Sequence, residues 1–328
     1  MLTLSAVVPC YNEEDSLSEL VRRLQAVCVS EAGDSYEIVL VDDGSTDRTW
    51  AWMNVLSTRN PHLVIVKMSR NHGHQLALSA GLSVARGARI FILDADLQDP
   101  PELLPKMMKL CDDGADVVYG QRTDRSGETW FKRITSKGFY RVLEQLVDVD
   151  MPLDTGDFRL ITRRVLDLVL AMPERERFFR GMVAWIGLRQ VPLEYVRDAR
   201  FAGETKYPLS KMLGLAASAV TGFSIRPLRI ATYLGLITAT LALGMLVYAL
   251  TSWVMYDAVS GWTSLMIVVL FLGAVQLVVL GVMGEYIGRN FLESKQRPNF
   301  IIEQVRHQGD ARSVDATGAK QSQNIHLL

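Results

Sequence analysis

Between Ile230 and Tyr256, and again between Trp262 and Gly284, the chain carries no Asp, Glu, Lys or Arg. Wound as a helix at 1.5 Å per residue, either run is long enough to cross a hydrocarbon core of about 30 Å. A buried helix of a soluble protein could explain one such run, but two in succession argue for a membrane hairpin. The flanks suggest its orientation. Lys206, Lys211, Arg226 and Arg229 precede the first run, and Arg289, Lys295 and Arg297 follow the second. The link Asp257-Ala258-Val259-Ser260-Gly261-Trp262 has neither Lys nor Arg. The positive-inside rule then places both ends of the chain in the cytoplasm, joined by a short external turn.

The rest of the 328 residues read differently. Residues 1–225 mix charges, glycines and short apolar runs as a soluble α/β domain does. The formal net charge of −1 gives no sign of a nucleic-acid partner. Met1-Leu2-Thr3-Leu4-Ser5 lacks a basic region followed by an apolar one, so no signal peptide is expected. Cys10, Cys28 and Cys111 are scattered, which fits a reduced compartment and neither a disulfide frame nor a structural zinc site. From about 308 to 328 the chain is polar and rich in Gly, Ser and Ala, and is expected to be disordered.

Within the first part, strand and helix patterns alternate. Leu4–Val8 reads as a buried strand ending at Pro9, followed by a helix from about Glu13 to Val27. Glu37–Val41 is a second strand, with Ser45-Thr46-Asp47 supplying caps for a helix to about Leu56. Leu63–Lys67, Arg89–Leu93 and Asp116–Tyr119 are further strands, with a helix over Gln75–Ala85. Such alternation implies a mostly parallel sheet covered on both faces.

Three polar clusters then fall just beyond strand ends: Tyr11-Asn12-Glu13, Asp42-Asp43 and Asp94-Ala95-Asp96. Open α/β sheets bind ligands in the crevice outside the carboxyl ends of their strands. Any one cluster could be a solvated turn; three on one edge point to a site. Asp94 and Asp96, with Gln98 after them, suit a hard divalent cation, Mg2+ or Mn2+. Such a cation takes one or two carboxylates and leaves positions for phosphate oxygens. A dinucleotide-binding reading fails because no Gly-x-Gly-x-x-Gly follows the first strand, and a helix-turn-helix reading fails because there is no basic recognition helix with a dimer signature.

Val7-Val8-Pro9-Cys10-Tyr11-Asn12-Glu13-Glu14, Val41-Asp42-Asp43-Gly44-Ser45-Thr46-Asp47 and Leu93-Asp94-Ala95-Asp96-Leu97-Gln98-Asp99-Pro100 resemble family 2 glycosyltransferases of the GT-A fold. The nearer likeness is to the branch holding dolichol-phosphate mannose synthases and bactoprenol glucosyltransferases. Ser69-Arg70-Asn71-His72-Gly73, Gly156-Asp157-Phe158-Arg159-Leu160, Pro173-Glu174-Arg175, Gly203-Glu204-Thr205-Lys206-Tyr207 and Gly284-Glu285-Tyr286-Ile287-Gly288-Arg289 carry it through to about residue 305.

That resemblance implies a GT-A domain over 1–207, an interfacial amphipathic segment over 208–227, a transmembrane hairpin over 228–288 and a cytoplasmic segment over 289–328. It implies an inverting transfer of a sugar from a nucleotide-sugar, UDP-glucose foremost, onto a polyprenyl phosphate at a bacterial inner membrane. GDP-mannose, a UDP-hexosamine or a modified arabinose are alternative donors. Pro9, Tyr11, Glu13, Val41 and Asp43 are implied to line the nucleotide pocket, with Asp43 toward the base. Asp94, Ala95, Asp96 and Gln98 would serve metal and diphosphate, and Arg122 a phosphate or the sugar. Arg200 and Lys206 would close over the diphosphate and acceptor phosphate. Asp157 stands where the family has its catalytic aspartate. A phosphate monoester is already largely ionised at neutral pH, its second pKa being about 6. Asp157 is therefore expected mainly to orient the acceptor or sugar, with base action secondary; pairing with Arg159 is its structural alternative.

Several further readings stay open. Arg133, Lys137 and Arg141 would form one basic stripe on a helix, facing either anionic headgroups or water. Gly235, Gly244, Gly273 and Gly281 would permit close helix packing and a homo-oligomer. A flippase would be a pathway partner. A processive polysaccharide synthase is disfavoured by the absence of Gln-x-x-Arg-Trp and by having only two spans. An inactive membrane scaffold has no use for Asp94, Asp96, Asp157, Arg200 and Lys206 together.

Overall fold

The computed structural model describes residues 1–122, 155–175, 177–196, 224, 226–255 and 261–307. They form two compact units, one holding the residues up to 196 together with 298–307, the other holding 224–297.

The first unit is an eight-stranded sheet. Its strands are β1 (Leu2–Cys10), β2 (Tyr36–Asp42), β3 (Leu63–Met68), β4 (Gly87–Ile92), β5 (Val117–Arg122), β6 (Thr155–Thr162), β7 (Gln190–Tyr195) and β8 (Ile302–His307), in the order β7-β5-β6-β4-β1-β2-β3-β8. β4, β1, β2 and β3 pair in parallel, as do β5 and β7, while β6 and β8 run antiparallel to their neighbours. The expected mostly parallel sheet is therefore present, with two reversed strands that strand-helix alternation does not reveal.

Alternate residues of each strand face opposite sides. Leu4, Ala6, Val8 and Cys10 of β1 join one core with α1 (Leu17–Ala32), α2 (Thr49–Arg59) and α4 (Leu104–Asp112), through Leu20, Leu24, Met53 and Met107. The other face is covered by α3 (His74–Val84) and α5 (Arg163–Ala171), with α6 (Phe179–Ile186) packed on α5.

β1 continues through Pro9 instead of ending there. Val7 presents its carbonyl to Leu93 on the β4 side, and Cys10 presents its own to Asp43 on the β2 side. By alternation the Pro9 nitrogen faces the β4 side, where pairing has already ended at Val7 opposite Ile92. The missing N–H therefore costs no ladder bond. Nor does the sequence pattern predict β8, which pairs antiparallel with β3 and covers what would be an open edge. Ile302 is buried, and Lys67 meets Glu303 at 2.9 Å across that pairing.

The second unit is two long helices, α7 (Arg226–Met255) and α8 (Trp262–Ser294). Each includes a stretch long and apolar enough to cross a membrane, Arg226–Tyr248 and Phe271–Ser294. Their apolar side chains point outward; Leu236 is 67 % exposed and Leu277 71 %. The hydroxyls of Thr232, Thr238, Thr240 and Thr251 donate to carbonyls one turn back. In hydrocarbon that arrangement satisfies the hydroxyl protons of these four threonines. The Tyr286 hydroxyl donates to the Ser224 carbonyl at 2.8 Å, tying α8 to the chain two residues before α7.

Candidate active site

The carboxyl ends of β1, β2, β3, β4, β5 and β7 lie on one edge of the sheet, and the antiparallel β6 brings its first residues to the same edge. Ile92 pairs with Arg159. Two residues further along each strand, the register leads to Asp94 and Asp157. These carboxylates, 63 positions apart in the sequence, thus become neighbours through strand pairing alone.

Loops beyond β1 and β2 are stitched together by hydrogen bonds. The Asn12 amide donates to Ser45 Oγ at 3.0 Å, Glu13 N–H to Thr49 Oγ1 at 2.8 Å, and Thr46 N–H to Asn12 Oδ1 at 2.8 Å. Asp42 accepts from Ser45 N–H. Asp43 is almost wholly buried, and its two oxygens accept the backbone N–H groups of His72 and Gly73 at 2.7 and 2.9 Å. Burial pushes its pKa up, opposed by these two bonds. The loop after β3 is thereby held against the loop after β2. Gly44 makes the fit possible: its φ is +67°, and a Cβ there would lie 2.5 Å from the Asn71 nitrogen.

The β4 end turns sharply. Asp96 Oδ1 accepts the Gln98 N–H at 3.2 Å, and Leu97 between them has a φ of +57° while its side chain is buried. A branched residue held in that region costs of order 1 kcal/mol, a strain typical of functional sites. Asp94 projects from the same turn. Its Oδ1 is buried and accepts no hydrogen bond among the described residues, with His74 Nε2 3.5 Å away. Burial raises the Asp94 pKa and the carboxylates of Asp157, Asp99 and Asp96 add to the rise, opposed by His74. No group of three or more His, Cys, Asp or Glu side chains able to hold a metal occurs among the described residues. Two carboxylates with one buried oxygen lacking a donor suit a magnesium- or manganese-like cation that completes its shell with phosphate oxygens and water.

Asp157 is 3 % exposed and fully engaged with protein groups. Its Oδ1 accepts from Arg180 Nε at 2.8 Å; its Oδ2 accepts from Gln75 Nε2 at 2.8 Å and meets His74 Nε2 at 3.2 Å. Burial alone would raise its pKa. The Arg180 guanidinium, with His74 and Arg159, outweighs burial and holds the carboxyl well below the usual range. His74 responds in the opposite sense: burial disfavours its charge, but Asp157 and Asp94 carry its pKa up to about 9. Arg159 does not pair with Asp157 directly; its guanidinium donates to the Gly156 carbonyl at 2.9 Å.

Next to this cluster, Asp99 accepts the Tyr195 hydroxyl at 2.5 Å, and Arg122 Nη2 stands 3.9 Å from the other Asp99 oxygen. Arg122 Nε also donates to the Tyr195 hydroxyl at 3.4 Å. The structure thus gathers Asp94, Ala95, Asp96, Gln98, Arg122 and Asp157 at one edge, with Tyr11, Glu13 and Asp43 on the neighbouring loops. Pro9 and Val41 are buried beneath those loops as floor. Arg200 and Lys206, the basic stripe from Arg133 to Arg141 and the 208–223 segment lie outside the described residues. His74, Gln75, Asp99, Arg180 and Tyr195 are not among the residues expected from sequence. The antiparallel register of β6 on β4 is what would have brought in the partners of Asp157, and the parallel pairing of β5 with β7, which sets Tyr195 opposite Arg122, would have brought in Tyr195 and Asp99.

The profile described as Glycosyl transferase family 2 matches residues 5–170. The chain belongs to that family. A second profile, GtrB C-terminal hairpin, matches 226–289, the two long helices. An uncharacterized glycosyltransferase of Bacillus subtilis, YkcC, is 45 % identical over 300 residues, covering 91 % of this chain and 93 % of the relative. A prophage bactoprenol glucosyl transferase homolog of Escherichia coli is 39 % identical over 93 % of this chain and all of its own length. The bactoprenol glucosyl transferase of Shigella phage SfV is 38 % identical over 92 % of this chain and 98 % of its own. This protein is a family 2 glycosyltransferase with the GtrB-type hairpin, and the sheet edge built above is its candidate active site.

Proposed function

We propose that this glycosyltransferase moves glucose from UDP-glucose onto polyprenyl phosphate at the cytoplasmic face of the membrane, with inversion at the anomeric carbon. The observation that carries the acceptor class is the extent of the likeness to bactoprenol glucosyl transferases. It takes in the catalytic sheet and the apolar hairpin together, over 92–93 % of the chain. A lipid acceptor gives both units one purpose: the hairpin keeps the enzyme where the acceptor tail lies, and the sheet edge receives the phosphate. The Lys and Arg residues flanking the hairpin support a cytoplasmic site.

Asp94, Asp96 and Gln98 would hold magnesium or manganese against the donor diphosphate. When bound, that ion neutralises charge on the departing nucleoside diphosphate. Tyr11, Glu13 and Asp43 frame the nucleotide side. The acceptor phosphate, mostly dianionic at neutral pH because its second pKa is about 6, attacks the anomeric carbon from the opposite face. It has little need of a base. Asp157 is a poor candidate for one, being held ionised by Arg180, His74 and Gln75. Its role is to orient, which places the groups it holds beside the acceptor.

The test is transfer by purified protein in lipid vesicles containing polyprenyl phosphate, with a divalent cation and a panel of labelled nucleotide-sugars. Metal-dependent label in the organic phase from UDP-glucose, abolished in Asp96→Asn, is the expected result. Transfer from another donor alone would correct the sugar. No transfer from any donor would reject the acceptor class.

A further inference from the structure

Asp157 is flanked by cationic side chains that keep accessible faces. Arg180 is 36 % exposed as a side chain, Arg122 28 % and His74 31 %, while Asp157 beneath them is 3 % exposed. The arginine is brought here by a chain of contacts. Gln75 Oε1, at the start of α3, accepts the Phe179 N–H at 2.9 Å, which fixes the first turn of α6. Arg159 lies over the Phe179 ring at 5.3 Å and buttresses the same turn. Arg180, the next residue, then gives its Nε to Asp157 at 2.8 Å. Arg122 stands beside the residue before Asp157, its Nη2 2.7 Å from where a Cβ on Gly156 would stand. Arg122 is itself held by Asp99 and the Tyr195 hydroxyl, as Arg180 is held by Asp157.

Arg180 is anchored through its Nε to a buried carboxylate while its side chain stays 36 % exposed, so its guanidinium is held in a fixed orientation at the ligand edge. Guanidinium presents a planar fork of donors that matches phosphate oxygens. His74 links the cluster to the metal-side carboxylate, lying 3.2 Å from Asp157 and 3.5 Å from Asp94. An anion held here would therefore lie beside the donor diphosphate, where an attacking phosphate has to arrive.

We propose that Arg180 is a phosphate-binding residue of this active site and that Asp157 is the positioning residue that aims it. The proposal rests on the transferase reading above. The phosphate is either that of the lipid acceptor or that of the donor diphosphate, and separate measurements tell them apart.

The experiment compares wild type with Arg180→Gln, which keeps a donor toward Asp157 without the charge, and Arg180→Lys, which keeps the charge without the fork. Three quantities are read: KM for polyprenyl phosphate in vesicles, Kd for UDP with Mg2+ by calorimetry, and the melting temperature. Arg180→Gln should raise one of the two constants about tenfold or more, the usual scale for losing a charge-assisted contact. Millimolar guanidinium should restore part of the loss, and Arg180→Lys should fall between. A raised acceptor KM assigns the acceptor phosphate; a raised UDP Kd assigns the diphosphate. If both constants stay within twofold of wild type and only the melting temperature falls, Arg180 is a counter-ion for Asp157 and the proposal is wrong. If wild type transfers to no polyprenyl phosphate, the function reading fails instead. The UDP titration, with direct binding of polyprenyl phosphate in vesicles, then still decides the role of Arg180.

Discussion

Replacing Asp157 with Asn separates a carboxylate that reacts from one that holds other groups in place. The side chain keeps its shape and loses its charge. Asn has one acceptor oxygen where Asp157 uses two. With that oxygen toward Arg180 Nε, the amide NH2 faces the donors of Gln75 and His74; turned over, it faces Arg180. Gln75 cannot turn to help, because its Oε1 already accepts from Phe179. A unit charge pair at about 4 Å and an effective dielectric constant of about 20 is worth roughly 4 kcal/mol. Solvent reaches Arg180, so about half of that survives. One lost hydrogen bond adds about 1 kcal/mol. The sum, about 3 kcal/mol, corresponds to a fall of roughly 6–12 °C in melting temperature for a domain of this size.

The assay is thermal unfolding of purified wild type and Asp157→Asn across a pH series, beside transfer activity at neutral pH. The folded pKa of Asp157 is depressed below its unfolded value of about 3.9. The stability it contributes is therefore complete above about pH 5 and lost as pH falls through the folded value. The gap between the two proteins should hold from pH 7 to about 5 and close in acid, with activity reduced throughout. An Asn variant that melts within about 1 °C of wild type while turning over nothing would refute the positioning role. It would restore a reacting carboxylate.

Gly44→Ala should destabilise by about 2–4 kcal/mol, the sum of a left-handed φ and a Cβ pressed on the Asn71 backbone. It should also weaken nucleoside diphosphate binding in calorimetry; unchanged values would mean that the loop after β3 yields freely. Asp94→Asn removes a carboxylate crowded by three others. Without ligand it should melt at or above wild type, yet lose the rise in melting temperature that Mg2+ or Mn2+ gives in the presence of UDP. A rise that persists would place the metal on other residues. Ile302→Ala, at the buried start of β8, should cost about 2–4 kcal/mol. It should also speed amide exchange along Leu63–Met68, and exchange at wild-type rates would show that β3 is protected without β8.

Much of this was legible in the sequence because it depends on local pattern. Runs such as Glu37–Val41 and Arg89–Leu93 announce strands, and the polar residues after them mark the edge where a ligand sits. The charge-free runs announce the two long helices. What could not be read comes from pairing at a distance. Strand-helix alternation suits parallel strands, so β6 and β8, which return antiparallel from remote parts of the chain, leave no periodic signature. Asp157 was visible by resemblance, but its partners were not, because only the register of β6 on β4 sets it beside Asp94 and under Arg180. Pro9 misled for a related reason: proline ends a strand only where its nitrogen would have met a carbonyl, and here β4 has already stopped.

The most direct measurement is the chemical structure of the lipid made by the purified enzyme from polyprenyl phosphate and UDP-glucose. Mass spectrometry gives its composition, and the one-bond C–H coupling at the anomeric carbon gives its configuration. A polyprenyl monophosphate bearing a single glucose in the β configuration, inverted from the α-linked donor, is the expected product. An α-linked product would contradict the single displacement with Asp157 as an orienting group. Free glucose, or a sugar polymer, in place of the lipid would contradict the acceptor itself.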